Sequence, residues 1–401
     1  MLPKMKQIGV VVNQTLSPRG GPGKHLGKYI DDPLFGQVLI RDAEGLNNPE
    51  PNLIGKYCNH PWEWLEVHAN GKVWMCCATW LPVCIGNWFE DTWEEIWNGP
   101  KAQRVRETIL DGSFKYCSKK LCPLIQSNHV QNIDNIAQDK KQLTASFPSH
   151  INFSIDPSCN ISCPSCRRHR IQYNEGPEYE KIKQLNDELW DLILAQPSDQ
   201  KIQCHITGSG DPWGSKVFRE KLLELDLRDK PHIRLNFKSN GVMLTEKIWN
   251  QMWRLHNNID QIGVSWDAAT EPTYKITRRE GDFKQLQKNM RFINDVAASY
   301  PNMNFHFDFV VQADNYHEIH KFIDMKINEY PNARHVMFTV LSDWGTWFND
   351  GYEKRAVWKE THPWYKQLLQ ELASVPKEKD KWIYWANFKG LVDQARIDYA
   401  T

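Results

Sequence analysis

The chain has 401 residues and equal numbers of basic and acidic side chains, 49 of each, with 41% hydrophobic and 24% charged residues. That balance lacks the basic excess usual in a nucleic-acid binder, and no apolar run is long enough to cross a bilayer. The apolar stretch at residues 8–12 is too short for a signal-peptide core, which makes a cytoplasmic protein the expectation.

Residues 1–57 read as an irregular N-terminal extension, with a flexible Pro18-Arg19-Gly20-Gly21-Pro22-Gly23 segment and a short strand over residues 37–41. Residues 58–130 form a small α+β module rich in cysteine and tryptophan. Within it, Glu66-Val67-His68 and Val73-Trp74-Met75 flank Ala69-Asn70-Gly71, and Asn-Gly between two alternating runs signals a hairpin. A helix is expected from Asp91 through Trp97, broken at Gly99-Pro100 and resumed over residues 101–110. Residues 131–148 are polar and read as a linker.

From residue 149 onward, strands and helices alternate. Strand-like runs occupy residues 150–156, 202–207, 232–238, 261–266, 304–311 and 335–341, with helical patterns near 178–196, 215–226, 245–256, 282–299 and 315–328. Six β units separated by helices predict an α/β fold with a parallel sheet. A partial (β/α)6 TIM-like barrel over residues 149–345 and an open doubly wound sheet fit this pattern alike. Residues 346–401 are amphipathic and read as C-terminal helices. Each strand ends in a chemically unusual segment, from Cys159-to-Cys166 at the first to Ser342-Asp343-Trp344-Gly345-Thr346 at the sixth. In parallel α/β folds the site lies at those carboxyl ends.

Nine of the ten cysteines fall at residues 58–122 and 159–166, and Cys204 stands alone. Disulfide frameworks belong to small secreted domains, whereas close-set cysteines in a long chain without an export signal point to metal. Cys159, Cys163 and Cys166 have the spacing Cx3Cx2C directly after the first strand. A [4Fe–4S] cluster takes four thiolates, so three from one loop leave one iron open for a ligand. A structural zinc site with His169 or Cys204 as fourth ligand is the alternative.

This loop resembles the signature of the radical S-adenosylmethionine (SAM) superfamily, over roughly residues 149–345. The resemblance implies that SAM chelates the open iron and is cleaved reductively, giving a 5′-deoxyadenosyl radical that abstracts a substrate hydrogen. It implies an oxygen-sensitive enzyme served by an electron donor such as flavodoxin or ferredoxin. Gly208, Ser209, Gly210 and Asp211 resemble the family's Gly-Gly-Glu motif for the SAM amino group, with Asp211 in place of Glu. Ser265 and Arg278 resemble the pair that binds the SAM carboxylate, and Ser239 and Asn240 the segment near the ribose. Ser165 departs from the aromatic residue usual before the third cysteine.

Cys58, Gly71, Cys76, Cys117 and Cys122, with the Ile85-Gly86-Asn87 and Glu95-Ile96-Trp97-Asn98 segments, resemble the auxiliary-cluster module called SPASM or, in shorter form, twitch. Here it precedes the barrel instead of following it. The resemblance implies an auxiliary [4Fe–4S] cluster on Cys58, Cys76, Cys117 and Cys122, with a four-cysteine zinc site as the rival. Adjacent strand side chains point to opposite faces, so Cys77 is expected to be buried and spare; Cys84 could replace one of the four. Cys204, Asp267, Asp308 and Asp343 are candidate catalytic residues, with core packing the default for Cys204; His205 and Lys238 could join them at the site.

Three readings follow. The enzyme modifies a peptide or protein side chain, as SPASM-bearing relatives often do; or it dehydrogenates or epimerises a small sugar-like molecule; or the chain is a non-catalytic zinc protein.

Overall fold

The computed structural model describes residues 27–41, 50–206 and 209–399. The segment at residues 18–23 and the candidate Gly208 lie outside these. The main sheet contains β1 (Trp64–His68), β2 (Lys72–Trp74), β3 (Gly86–Asn87), β4 (His150–Ser154), β5 (Ile202–Ile206), β6 (Ile233–Ser239), β7 (Ile259–Ser265), β8 (Asn304–Val311), β9 (Val336–Val340) and β10 (Ile383–Tyr384). They lie in the order β10-β9-β8-β7-β6-β5-β4-β1-β2-β3. Helices Pro177–Leu194, Lys216–Glu224, Glu246–Gln251, Phe283–Ser299 and Ile319–Glu329 connect β4 through β9 in turn.

Consecutive strands from β4 to β9 are neighbours and parallel. A doubly wound sheet reverses its order at a switch point, and none occurs here. The singly wound order is that of a barrel wall, consistent with the (β/α)6 expectation.

Alternation is clearest on β5, while β4 and β8 carry continuous buried runs. On β5, Ile202, Cys204 and Ile206 are buried, whereas Gln203 and His205 are half-buried. One face therefore carries Ile151, Phe153, Cys204, Leu235, Phe237, Ile262, Val264, Phe305, Phe307 and Phe338, all in the main core with Leu185, Leu189, Trp190 and Ile193 of the first helix. Each fully buried side chain of this kind contributes about 1.5–3 kcal/mol. The other face is polar: register aligns Glu66 with Asn152, Asn152 with His205, and His205 with Asn236.

The cysteine-rich module is built onto this sheet. Its hairpin forms as expected, with Glu66 opposite Trp74 and Val67 opposite Val73. Gly71 turns it at φ 80°, and a Cβ there would meet Asn87 Oδ1 and Phe89 Cδ2 at 2.4 Å. The unexpected feature is that β1 pairs in parallel with β4, Trp64 facing His150, so module and αβ units share one sheet. A short helix, His60–Glu63, opens the module, and the helix expected from Asp91 starts two residues later, at Trp93: Thr92 caps it through a capping box with Glu95, and Asp91 instead accepts the Asn87 amide. Residues 27–41 form a hairpin of Gly27–Asp32 against Gly36–Arg41, anchored where Asp32 accepts from Tyr116 Oη at 2.5 Å and Lys115 Nζ at 2.8 Å. The polar segment 131–148 straps the module: Leu143 and Ser146 carbonyls accept from Arg106 and Trp97. The C-terminal helices Tyr365–Ala373 and Lys389–Asp398 flank β10. Among the described residues no helix is long and apolar enough to cross a membrane.

Candidate functional site

The loop after β4 carries Cys159, Cys163 and Cys166. It is tightly turned, with the Cys166 and Arg167 amides both donating to the Cys163 carbonyl. Cys159 and Cys163 are buried, and Cys166 is half-buried. A side-chain N–H approaches each of the three sulfurs: Asn240 Nδ2 lies 3.6 Å from Cys159, Arg278 Nη1 3.5 Å from Cys163, and Arg167 Nη2 3.6 Å from Cys166. Burial pushes the Cys159 thiol up to about 12, and burial raises Cys163 as well, with Cys166 repelling its ionised form. Burial alone would weaken the charge of Arg167, but Cys166, Cys159 and Cys163 hold its pKa above the ordinary value. A donor set of three mutually repelling thiols, two buried and one half-buried, with two arginines beside them fits a cationic metal cluster, which binds thiolates.

Arginines also hold the loop in shape. Arg167 donates to the carbonyls of Pro157 and Ser209 at 2.7 and 2.8 Å. Arg279 reaches Ser162 Oγ and the Arg168 carbonyl. Arg168 donates to the carbonyls of Gly345 and Thr346, and Thr346 Oγ1 donates to the Pro164 carbonyl. The segment after β9 is thereby closed down on the cysteine loop. These arginines were not singled out in the sequence, although Arg167-Arg168 directly follows the third cysteine.

The segment after β5 approaches the loop so closely that Gly210 has no room for a side chain: a Cβ there would lie 2.3 Å from the Ser158 carbonyl oxygen and 2.5 Å from that of Asp156. Ser209 Oγ donates to the Ser154 carbonyl at 3.0 Å. Asp211 is buried and committed. Its Oδ2 accepts from Ser239 Oγ and the Asn240 amide at 2.7 and 2.8 Å, and its Oδ1 from the Trp213 and Gly214 amides. Asp211 thus ties the ends of β5 and β6 together instead of offering a free carboxylate.

Arg278 is buried, not a surface ion-pair partner. Its Nη2 lies 2.6 Å from Asp267 Oδ2, and its Nε is buried without a hydrogen-bond partner among the described residues. Burial raises the Asp267 carboxyl and Arg278 opposes that rise; Asp267 sits at φ 60° and caps the Val310 amide at 2.7 Å. Ser265 is half-buried and turns its hydroxyl to Asp308 Oδ2 at 3.4 Å.

On the polar face, Asp308 Oδ2 pairs with Lys238 Nζ at 2.5 Å. Burial would raise its pKa, but Lys238 and His306 hold it well below the usual carboxylate range. Gly263 lies between them, where a Cβ would meet Lys238 Nζ and His306 Nε2 at 2.8 Å. Asn152 Oδ1, Asn304 Oδ1 and Asp308 Oδ1 are buried acceptors without a hydrogen-bond partner among the described residues; His306 Nε2 lies 3.6 Å from the last. Two candidates lie elsewhere. Cys204 is sealed in the apolar face, in register with Ile151 and Leu235, and Asp343 is exposed and caps the Gly345 amide. His169, the alternative zinc ligand, is exposed.

In the module, Cys76 is raised by burial and by the charges of Cys58, Cys77, Cys117 and Cys122, and Cys117 by burial and by Cys58 and Cys122. Burial pushes Cys58 up to about 12 while the His60 amide opposes it by donating to the sulfur. Leu124 and Ile125 amides do the same at Cys122. Cys84 points away, to the Gly86 carbonyl at 3.1 Å, and Cys77 is half-buried, with Glu66 as its main charged neighbour. No disulfide joins the ten cysteines. Among the described residues no three His, Cys, Asp or Glu side chains group closely enough to hold a single metal ion.

A family model described as the radical SAM superfamily matches residues 153–325, and one described as an iron–sulfur cluster-binding domain, SPASM, matches residues 58–123. No curated protein matches the chain. Among solved structures, Streptococcus suis SuiB bound to the precursor peptide SuiA is similar at 16% identity and TM-score 0.37, covering 49% of this chain and 40% of that one. SuiB bound to S-adenosylmethionine gives 14% and 0.41, covering 60% and 50%. AnSMEcpe with bound AdoMet and the Kp18Cys peptide gives 16% and 0.34, covering 54% and 57%. The chain therefore spans about half the length of these structures.

Proposed function

Because the chain is an enzyme of the radical SAM superfamily with an iron–sulfur cluster-binding module ahead of its αβ units, we propose that it cleaves SAM reductively and removes a hydrogen atom from a peptide or protein side chain. The observation that carries this reading is the set of three thiols on one loop, two buried and one half-buried, toward which Asn240, Arg278 and Arg167 turn side-chain N–H groups. In this reading Cys159, Cys163 and Cys166 would hold a [4Fe–4S] cluster, which together with SAM would supply the radical chemistry. Cys58, Cys76, Cys117 and Cys122 hold the auxiliary cluster.

The chain's own residues supply position and charge. Gly210 admits the backbone of residues 209–211 to the cluster loop, and Asp211 fixes Ser239 and Asn240 beside it. Arg278 and Arg167 offset the thiolate charge, and the Arg278 Nε is the donor left to meet the cofactor's carboxylate, with Ser265 able to join it by turning from Asp308. The polar face presents the substrate side of the site. Its orphaned acceptors each forgo about 1–3 kcal/mol until a donor arrives, which suits a substrate bearing N–H or O–H groups. The domain limits we assign are an extension to residue 57, the auxiliary module over 58–130, a connecting segment over 131–148, the SAM domain over 149–345 and a helical tail over 346–401. A flavodoxin or ferredoxin is the electron donor.

The amide- and carboxylate-lined polar face also favours a second reading, dehydrogenation or epimerisation of a sugar-like molecule, whose hydroxyls such groups bind. Deuterium tracing separates the two: deuterated candidate peptides and polyols are incubated with anaerobically reconstituted enzyme, SAM and reductant, and deuterium is sought in 5′-deoxyadenosine. Transfer from a peptide supports the first reading, transfer from a polyol the second.

A further inference from the structure

A column of rings leads from the auxiliary cysteines to the polar face of the sheet. His60 Nδ1 lies 3.4 Å from Cys76 Sγ, and the His60 main-chain amide donates to the Cys58 sulfur. One residue therefore reaches two of the four thiols assigned above as ligands. Its ring stacks on Trp64, centroids 5.4 Å apart and planes 16° from parallel. Trp64 stacks in turn on His150 at 5.6 Å and packs on His205 at 4.9 Å. His150 and His205 are stacked at 5.6 Å, with Nδ1 of the first 3.3 Å from Nε2 of the second. Because Trp64 and His150 are register partners of β1 and β4, the sheet's own hydrogen bonds hold the column.

A cysteine that ligates iron has lost its proton, so the His60–Cys76 contact can only run from Nδ1–H to sulfur. Hydrogen bonds to ligand sulfurs stabilise the more negative, reduced state of a cluster and raise its potential. We propose that His60 is a positioning residue for the auxiliary cluster: it donates to the Cys76 sulfur, is held in that pose by its stack on Trp64, and sets the cluster's reduction potential. The proposal rests on Cys58, Cys76, Cys117 and Cys122 being the ligands, as assigned above.

The test is an EPR-monitored redox titration of the anaerobically reconstituted full-length enzyme, with pulsed EPR to detect 14N coupling in the reduced auxiliary cluster. In wild type the coupling is present. His60→Ala lowers the potential and removes the imidazole share of the coupling, leaving that of the main-chain amides at Cys58 and Cys122, whereas His60→Asn, whose side-chain N–H can occupy the place of Nδ1–H, brings the potential back toward wild type. An unchanged potential and unchanged coupling in His60→Ala would overturn the proposal. If that variant fails to hold its cluster, Trp64→Leu decides: it keeps the donor but frees the ring, so a smaller shift in the same direction is expected, and no shift overturns the idea. Absence of any auxiliary signal in the wild type would instead remove the ligand assignment on which the proposal rests.

Discussion

Arg278 bridges Cys163 and Asp267, placing one terminal nitrogen 3.5 Å from the sulfur and the other 2.6 Å from the carboxylate. The pair is buried, so removing either charge strands the other. Breaking such a pair from one side costs about 3–5 kcal/mol. Arg278→Met should therefore destabilise the apoprotein by that order in urea unfolding. Asp267→Asn should cost less, because an amide still accepts from the Val310 amide and Asn tolerates the φ of 60° at this position. Equal, small losses in both variants would contradict the account of this pair.

Gly210 is a steric requirement. With backbone oxygens 2.3 and 2.5 Å from the position of a Cβ, neither neighbour can rotate away, so Gly210→Ala must displace the cysteine loop or the end of β5. Reconstituted Gly210→Ala should lose roughly half its iron, the share of one of two [4Fe–4S] clusters, and with it SAM cleavage. Full iron content and wild-type cleavage would show that the two segments do not need this approach.

The raised thiol pKa values have a direct chemical signature. A free thiol titrates near 8.5, and Cys58 and Cys159 are pushed up to about 12, first of all by burial. Their thiolate fraction at pH 8 is then about a thousandfold below that of an unfolded chain, and it grows as pH rises toward the folded value. In the apoprotein both should alkylate with iodoacetamide at least about a hundredfold more slowly than in urea. Because loading with metal releases these protons, cluster assembly should strengthen with rising pH. Equal alkylation rates in the folded and unfolded chain would contradict the burial of these thiols.

The polar face separates SAM cleavage from substrate chemistry. Lys238 and Asp308 pair across Gly263 on the polar face of the sheet. Lys238→Met should keep the clusters and slow SAM cleavage in the absence of substrate, yet lose deuterium transfer from the substrate by at least about tenfold, a barrier increase of about 1.4 kcal/mol. Loss of both activities together would place the pair at the cofactor instead.

Much of this fold was legible because its strands alternate. The pattern of Ile202, Cys204 and Ile206 against Gln203 and His205 gives the strand, its faces and the burial of Cys204 from local order alone. The three-cysteine loop was equally local. Long-range relationships were not. No local signal tells that Trp64 pairs beside His150, so the fusion of module and αβ units into one sheet had to be seen. The same holds for the ring column, whose members lie at residues 60, 64, 150 and 205. The short helix Glu271–Thr277, which delivers Arg278, was hidden because a seven-residue element shows too few turns for a period to emerge. The resemblance makes Asp211 a cofactor contact, and its four hydrogen bonds within the protein, to Ser239, Asn240, Trp213 and Gly214, have no local sequence signal.

The most direct test of the central claim is 5′-deoxyadenosine formation from SAM by anaerobically reconstituted, dithionite-reduced enzyme, compared with Cys159→Ala and Cys58→Ala. The wild type should form 5′-deoxyadenosine, Cys159→Ala none, and Cys58→Ala a reduced but measurable amount. Undiminished product from Cys159→Ala, or a colourless zinc-loaded wild type that forms none, would contradict the account.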